Sequence, residues 1–286
     1  MTPSDTYQLI DSGDGRKLEQ VGPHLLVRPA AQAVWRPRLP KGRWKAADAV
    51  FVREGEGDMS WTARKPLPDQ WAIELAGATF RIKTTGFGHL GLFAEQQGNW
   101  AWIREQVKTL AGRTQRPPSV LNMFAYTGGS TLAALAAGAE VTHLDASRGI
   151  VDWARENAAL SGLADAPCRW MVDDVRKFVQ RELRRERVYD GIILDPPSFG
   201  RGSKGQVWKI EEHLAPLLAD CRALMGAAPG FVLLSAHTPG FSPIALQNML
   251  ADAMPEGRMT CGEMTIAEAE GGRLLPSGTW ARWSGA

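Results

Sequence analysis

In the segment "YDGIILDPPSFGR", Tyr189 to Arg201, an apolar run ends abruptly in a carboxylate, Asp195, followed by Pro196 and Pro197. Prolines fix φ and donate no N–H, so such a loop holds a preset row of carbonyl oxygens beside the charge. That wall can stack against a planar base and accept from its N–H groups. The plain alternative is a strand stop.

Three other segments offer polar groups at matching places. "LNMFAYTGGST" leaves an apolar run through Phe124, Tyr126, Thr127, Gly128 and Gly129, and paired glycines permit positive φ and close backbone approach to a ligand. The loop is not GxGxxG and has no P-loop lysine, which argues against a nucleotide held by its diphosphate; glycines needed only for packing are the alternative. "VTHLDAS" ends in Asp145, followed by Ala146 and Ser147, where a carboxylate can accept from both ribose hydroxyls or cap a helix. Asp173 and Asp174 precede "VRKF"; one can cap that helix while the other accepts from an adenine amino group. Together these groups suit a nucleoside-bearing cofactor without a diphosphate, a description that S-adenosylmethionine meets. Methyl transfer from a sulfonium is a direct displacement, and its main catalytic need is alignment, which a rigid loop serves.

The elements that must position these residues follow from pattern. Residues 1–94 hold short Val/Ile/Phe/Trp segments separated by "DSGDG", "EGEGD" and "PLPD", which predicts a small β-rich domain. Trp100, Ile103 and Val107 mark a helix ended by "RTQRPPS", and the domain boundary falls near Glu95, with 95–286 as the second domain. After Pro118, strands and helices alternate, which predicts an α/β fold with a parallel sheet of seven strands, the last two, "RMTCGEMTIA" and "GTWARW", forming a terminal antiparallel pair. In such sheets ligands sit beyond the carboxyl ends of the strands, which is where all four polar segments fall.

Composition sets the outer bounds. A net charge of +2 announces no global field for a polyanion, so any basic surface is local. Cys168, Cys221 and Cys261 are odd in number and widely spaced, which predicts reduced packing residues and no structural metal. Neither a signal peptide nor a membrane-length apolar run is present in the sequence, which predicts a cytoplasmic protein. Monomer and homodimer both stay open.

The motifs resemble those of the class I S-adenosylmethionine-dependent methyltransferases, specifically the branch of bacterial large-subunit rRNA methyltransferases acting on cytosine carbon 5 or guanine nitrogen 7. The similarity runs from "GLFAEQQGNW" through "LNMFAYTGGSTLAALAAGA", "VTHLDASRGIVDWARENAALSGL" and "MVDDVRKF" to "YDGIILDPPSF". It implies a Rossmann-like seven-stranded sheet with the cofactor over Phe124 and Tyr126 to Gly129, its ribose on Asp145 beside Ala146 and Ser147, and its adenine near Asp173 and Asp174. The target base is implied near Asp195, Pro196, Pro197 and Phe199, and Phe93 and Gln96 are brought toward the cofactor.

Three departures bear on the chemistry. Carbon 5 methylation needs a Cys nucleophile, which the family carries after the fifth strand; here "LLSAHTPGF" places Ala236 between Ser235 and His237. Members acting on amino groups put an aromatic directly after the two prolines, whereas Ser198 precedes Phe199 here. The family's "DQR" or "DTR" is "EQQ" at Glu95 to Gln97. The resulting expectation is transfer to an RNA base, most directly in rRNA, by direct displacement without a Cys nucleophile; a ring nitrogen with a lone pair suits the residues present. A methyltransferase of a small molecule or protein, and a non-catalytic RNA-binding relative, are the alternatives.

Substrate contacts are less determined. "VWRPRLPKGRWK" carries Arg36, Arg38, Lys41, Arg43 and Lys45 with Trp35 and Trp44 interleaved, which reads equally as an RNA contact or as a solvated loop anchored by its tryptophans. "RKFVQRELRRER" reads as a solvated helix face. Lys204 and Lys209 can touch a phosphate or lie on a lid, and His237 can accept a proton or simply pack.

Overall fold

The computed structural model describes residues 6–53, 58–202, 205–226, 229–254 and 256–285. They divide into two compact units, 1–95 with 265–277, and 96–264 with 278–286.

In the first unit, β1 (Tyr7–Gly13), β2 (Arg16–Val21) and β3 (His24–Pro29) form an antiparallel meander. Its first turn places Asp14 and Gly15 at φ 50° and 71°, the positive pair that a two-residue hairpin loop demands. A short helix, α1 (Lys41–Lys45), then carries the chain to β4 (Ala49–Arg53), parallel to β3, and β5 (Met59–Ala63) completes a five-stranded sheet. A separate hairpin pairs β6 (Trp71–Leu75) with β7 (Ala78–Ile82).

The second unit runs α2 (Gln97–Thr114), β8 (Ser119–Met123), α3 (Gly129–Ala136), β9 (Glu140–Asp145), α4 (Arg148–Leu160), β10 (Cys168–Val172), α5 (Val175–Arg184) and β11 (Gly191–Leu194). A hairpin of β12 (Phe199–Arg201) and β13 (Val207–Lys209) follows, then α6 (Ile210–Leu224), β14 (Phe231–Ala236), α7 (Pro243–Ala253), β15 (Arg258–Ala267) and β16 (Leu274–Ser284). The expected seven-stranded sheet is present, in the order β10-β9-β8-β11-β14-β16-β15, with β10 through β14 parallel and β16 antiparallel to β14. Strands β11 and β14 are buried along their whole length, which is why they read as unbroken apolar runs. Strand order reverses between β8 and β11, so the carboxyl ends of these two strands flank the crevice where such sheets bind ligands.

The sequence pattern leaves 265–277 in the second domain, but the structure packs this segment with the first unit. Glu268 explains it: its carboxylate accepts from the Ser12 N–H at 3.0 Å and the Ser12 hydroxyl at 2.6 Å, and Ala269 N–H donates to the Leu9 carbonyl. No helix among the described residues is long and apolar enough to cross a membrane, and no group of three metal-ligating side chains occurs among them.

Candidate active site

Past β8 the backbone turns sharply. Phe124 and Tyr126 both take positive φ, 54° and 49°, which costs of order 1–3 kcal/mol per residue and is tolerated where the surroundings over-determine the loop. Here they do: the Tyr126 N–H donates to Asp145 Oδ2 at 3.0 Å, the Thr127 carbonyl accepts from Asn157 at 2.9 Å, and the Phe124 ring lies 4.7 Å from that of Trp208. The two glycines have separate reasons. Gly128 sits at φ 94°, a left-handed cap for α3. Gly129 makes room for a neighbour, since a Cβ there would fall 2.4 Å from the Trp100 ring of α2. Packing thus gives Gly129 a reason of its own, the alternative the sequence left open.

Asp145 ends β9 with each oxygen already accepting one backbone N–H, from Tyr126 and from Ser147. Burial raises its pKa, and these N–H groups with that of Ala146 oppose the rise. A carboxylate has about four acceptor positions, so these N–H groups do not saturate it and room remains for a hydroxyl. Ala146 and Ser147 lie exposed at the start of α4. Of the next acid pair, Asp174 caps α5, accepting from the Lys177 N–H at 3.0 Å, while Asp173 accepts from the Asp174 N–H and pairs with Arg181.

Across the switch point, Asp195 is held by neutral donors. Gln96 Nε2 donates to Oδ2 at 3.0 Å and the Ser235 hydroxyl to Oδ1 at 2.7 Å, with His237 Nε2 at 3.9 Å from Oδ1. The Gln96 amide is oriented in turn: Asn99 donates to its Oε1 at 2.6 Å, and the Asn99 carbonyl oxygen accepts from Arg282 at 2.6 Å. Arg282 stacks 3.9 Å from the Trp280 ring and 5.2 Å from that of Trp102, and burial lowers its pKa to about 10. Ser235, Asn99 and Arg282 were not singled out for this role by sequence reasoning. The available signals were the Gln96–Asn99 spacing of one helical turn and an arginine between tryptophans in "TWARW".

The proline wall differs from its expected form. Pro196 is buried, while Pro197, Ser198 and Phe199 are exposed. The Pro197 carbonyl accepts from the Trp208 indole at 2.7 Å and the Ser198 carbonyl from the Ile210 N–H, so two oxygens of the supposed row are spent inside the protein. Ser198 shares a hydrogen bond with Thr238 at 2.8 Å.

The cysteines stand elsewhere. Cys168 begins β10 at the amino end of the sheet, and burial pushes its thiol up to about 12. Cys221 is fully buried in α6, with its pKa likewise raised by burial, and Cys261 lies within β15 against the core. Phe93 belongs to the first unit, where its ring meets His89 at 5.5 Å. Lys209 pairs with Glu212, and Lys204 lies outside the described residues. Trp35 and Trp44 donate their indole N–H groups to Ser12 and Asp11, so both anchor their segment, and Trp44 is buried.

The donor set at the carboxyl ends is therefore acidic, without a lysine or arginine in the loop from Tyr126 to Gly129, and it suits hydroxyls and a positive centre better than phosphates. Residues 41–241 match the family model described as S-adenosylmethionine-dependent methyltransferase. The chain belongs to this family. A crystal structure of an S-adenosylmethionine-dependent methyltransferase from Agrobacterium tumefaciens is 42% identical, superposes with a TM-score of 0.90, and is matched over 97% of this chain and 90% of that one. Ribosomal RNA large subunit methyltransferase I of Aeromonas salmonicida is 37% identical over 72% of this chain and 50% of the relative. Ribosomal RNA large subunit methyltransferase K/L of Shewanella frigidimarina is 31% identical over 52% of this chain and 20% of the relative. The chain thus spans half or less of the length of these two curated relatives. As a member of the family the chain has S-adenosylmethionine as its cofactor, and the acid-rich crevice between β8 and β11 fits that group.

Proposed function

We propose that the chain transfers a methyl group from S-adenosylmethionine to a base nitrogen in RNA, most directly ribosomal RNA in the cytoplasm, by direct displacement. The observation that carries this reading is Asp195, a partly exposed carboxylate fixed by Gln96 and Ser235 at the switch point of the sheet. Two relatives whose names specify ribosomal RNA support the substrate class. Asp145 would accept a ribose hydroxyl beside Ala146 and Ser147, the Tyr126–Gly129 loop with Phe124 would line the cofactor, and the second oxygen of Asp174 would take the adenine amino group. When bound, the cofactor would supply an electrophilic methyl group carried on a sulfonium sulfur, with S-adenosylhomocysteine as the departing product.

The chain's own task is alignment. Asp195, Pro196, Pro197 and Phe199 would form the wall that orients the base, with the Asp195 carboxylate accepting from an N–H group of the ring edge. A thiolate adding to the ring has no source here: Cys168 lies at the wrong end of the sheet, Cys221 is sealed in the core, and Cys261 stands on the edge strand β15, separated from β11 by β14 and β16. A ring nitrogen with its own lone pair, such as guanine nitrogen 7, needs no such activation.

Nucleoside mass spectrometry tests the reading. Ribosomal RNA from a deletion strain should lack one methylated nucleoside and regain it on treatment with purified protein and S-adenosylmethionine. Label from the cofactor appearing in metabolites or protein and never in RNA would overturn the proposal.

A further inference from the structure

The cationic segment builds a pocket within the first unit. Arg16, Lys41, Lys45 and Arg64 surround a concave space of about 230 Å³, floored by apolar side chains including Val27, Leu39 and Trp44, with Asp14 as the only acid lining it among the described residues. All four cations are exposed, and among the described residues none is in an ion pair. The contrast with their neighbours is informative. Lys17 and Arg28 are spent on Glu19, Lys65 on Asp48, and Arg38 on the Gly271 carbonyl. Two of the four are also held in shape: Arg64 donates to the Lys45 carbonyl at 2.7 Å, and Arg16 lies 5.5 Å from the Trp44 ring centre. Trp44 is itself fixed by the buried Asp11. In a chain with a net charge of only +2, this concentration is local.

Four unpaired cations over an apolar floor select a polyanion that alternates charge with apolar surface. A phosphodiester backbone does so, with phosphates for the rim and sugar faces for the floor. A planar anionic membrane would meet the rim and leave the concavity unfilled. With Trp44 buried as part of the floor and Trp35 half-buried, the exposed groups the pocket offers are its cations, which suit phosphate. We propose that this pocket binds the backbone of the RNA substrate, a sequence-independent contact that rests on the RNA reading above.

The test compares two variants of equal charge. Lys41→Gln with Lys45→Gln removes two pocket cations, and Lys108→Gln with Arg258→Gln removes two exposed cations from the second unit. Ribosomal RNA binding is measured by filter retention across a salt series, alongside S-adenosylmethionine affinity and thermal melting to confirm the fold. The pocket variant should weaken RNA binding about tenfold near 0.1 M salt and flatten the plot of log K against log salt by roughly 0.7–0.9 for each phosphate no longer neutralised. Cofactor affinity should not change, and the control variant should match the wild type. Equal affinity and slope in the two variants would overturn the inference, as would a wild type that does not bind RNA. A wild type that binds ribosomal RNA without methylating it would overturn the proposed reaction, while the comparison of variants would still decide the pocket.

Discussion

The two units each hold a carboxylate in a ring of donors, and the difference between the rings separates structure from chemistry. In the first unit, Glu19 is fully buried and meets Arg28 at 2.7 and 2.9 Å, Lys17 at 3.0 Å and the Tyr7 hydroxyl at 2.6 Å. Its charge is cancelled on the spot. In the second unit, Asp195 is partly exposed and is held by an amide and a hydroxyl, with the His237 imidazole at 3.9 Å and the Arg282 guanidinium separated from it by Asn99 and Gln96. Neutral donors fix its position while leaving its charge to act on whatever enters the crevice. A saturated buried pair has nothing left to offer a ligand, whereas a positioned, uncompensated carboxylate does.

Removing one partner from each ring should therefore give opposite profiles. Arg28→Ala removes the two-pronged partner of a buried carboxylate, leaving it only Lys17 and Tyr7, and should cost about 3 kcal/mol of stability, the lower end of the scale for breaking a buried pair. Urea unfolding checks it, and cofactor affinity of the protein that remains folded should be unchanged. Asp195→Asn keeps the size and loses the charge. It should lower the single-turnover rate of methyl transfer roughly 100-fold or more, about 2.7 kcal/mol, the scale for deleting one electrostatic interaction with a reacting group, with melting close to wild type. Equal loss of stability in both variants would erase the distinction between the two rings.

Much of this was legible in the sequence, for a physical reason. The parallel strands are buried on both faces, so they announce themselves as apolar runs, and the helix Arg148–Leu160 and the strand Arg258–Ala267 fall where their patterns place them. Asp145 and Asp195 were visible because strand ends are where such folds put polar groups. Their partners were not. Gln96 stands 99 positions from Asp195, and Ser235 stands 40 away, separations that no local periodicity records. The packing constraint on Gly129 was equally hidden, because Trp100 sits in another helix. The tryptophans of "VWRPRLPKGRWK" were ambiguous until Asp11 and Ser12 supplied their acceptors, and strands as short as Phe199–Arg201 carry too few residues for a pattern.

The smallest effect sharpens the comparison through pH. Burial alone would raise the Glu19 pKa, but Arg28 and Lys17, with hydrogen bonds from Arg28 and Tyr7, outweigh it and bring the value down to about 2. A carboxylate depressed in the folded state contributes stability that is complete above its unfolded pKa and is lost as pH falls toward the folded one. Between pH 5 and pH 3 the Glu19 ring should therefore lose about 2 kcal/mol of its contribution, seen as a falling urea midpoint. Replacing the ring together, by Tyr7→Phe, Lys17→Leu, Glu19→Leu and Arg28→Leu, leaves no member of the ring stranded and should retain the fold, since apolar substitutes for buried pairs are often neutral. That variant should show a shallower decline over the same window. If its acid sensitivity equals that of the wild type, the stability lost at low pH comes from other carboxylates, and the Glu19 ring is not the charge-compensated structural element that distinguishes the first unit from the second.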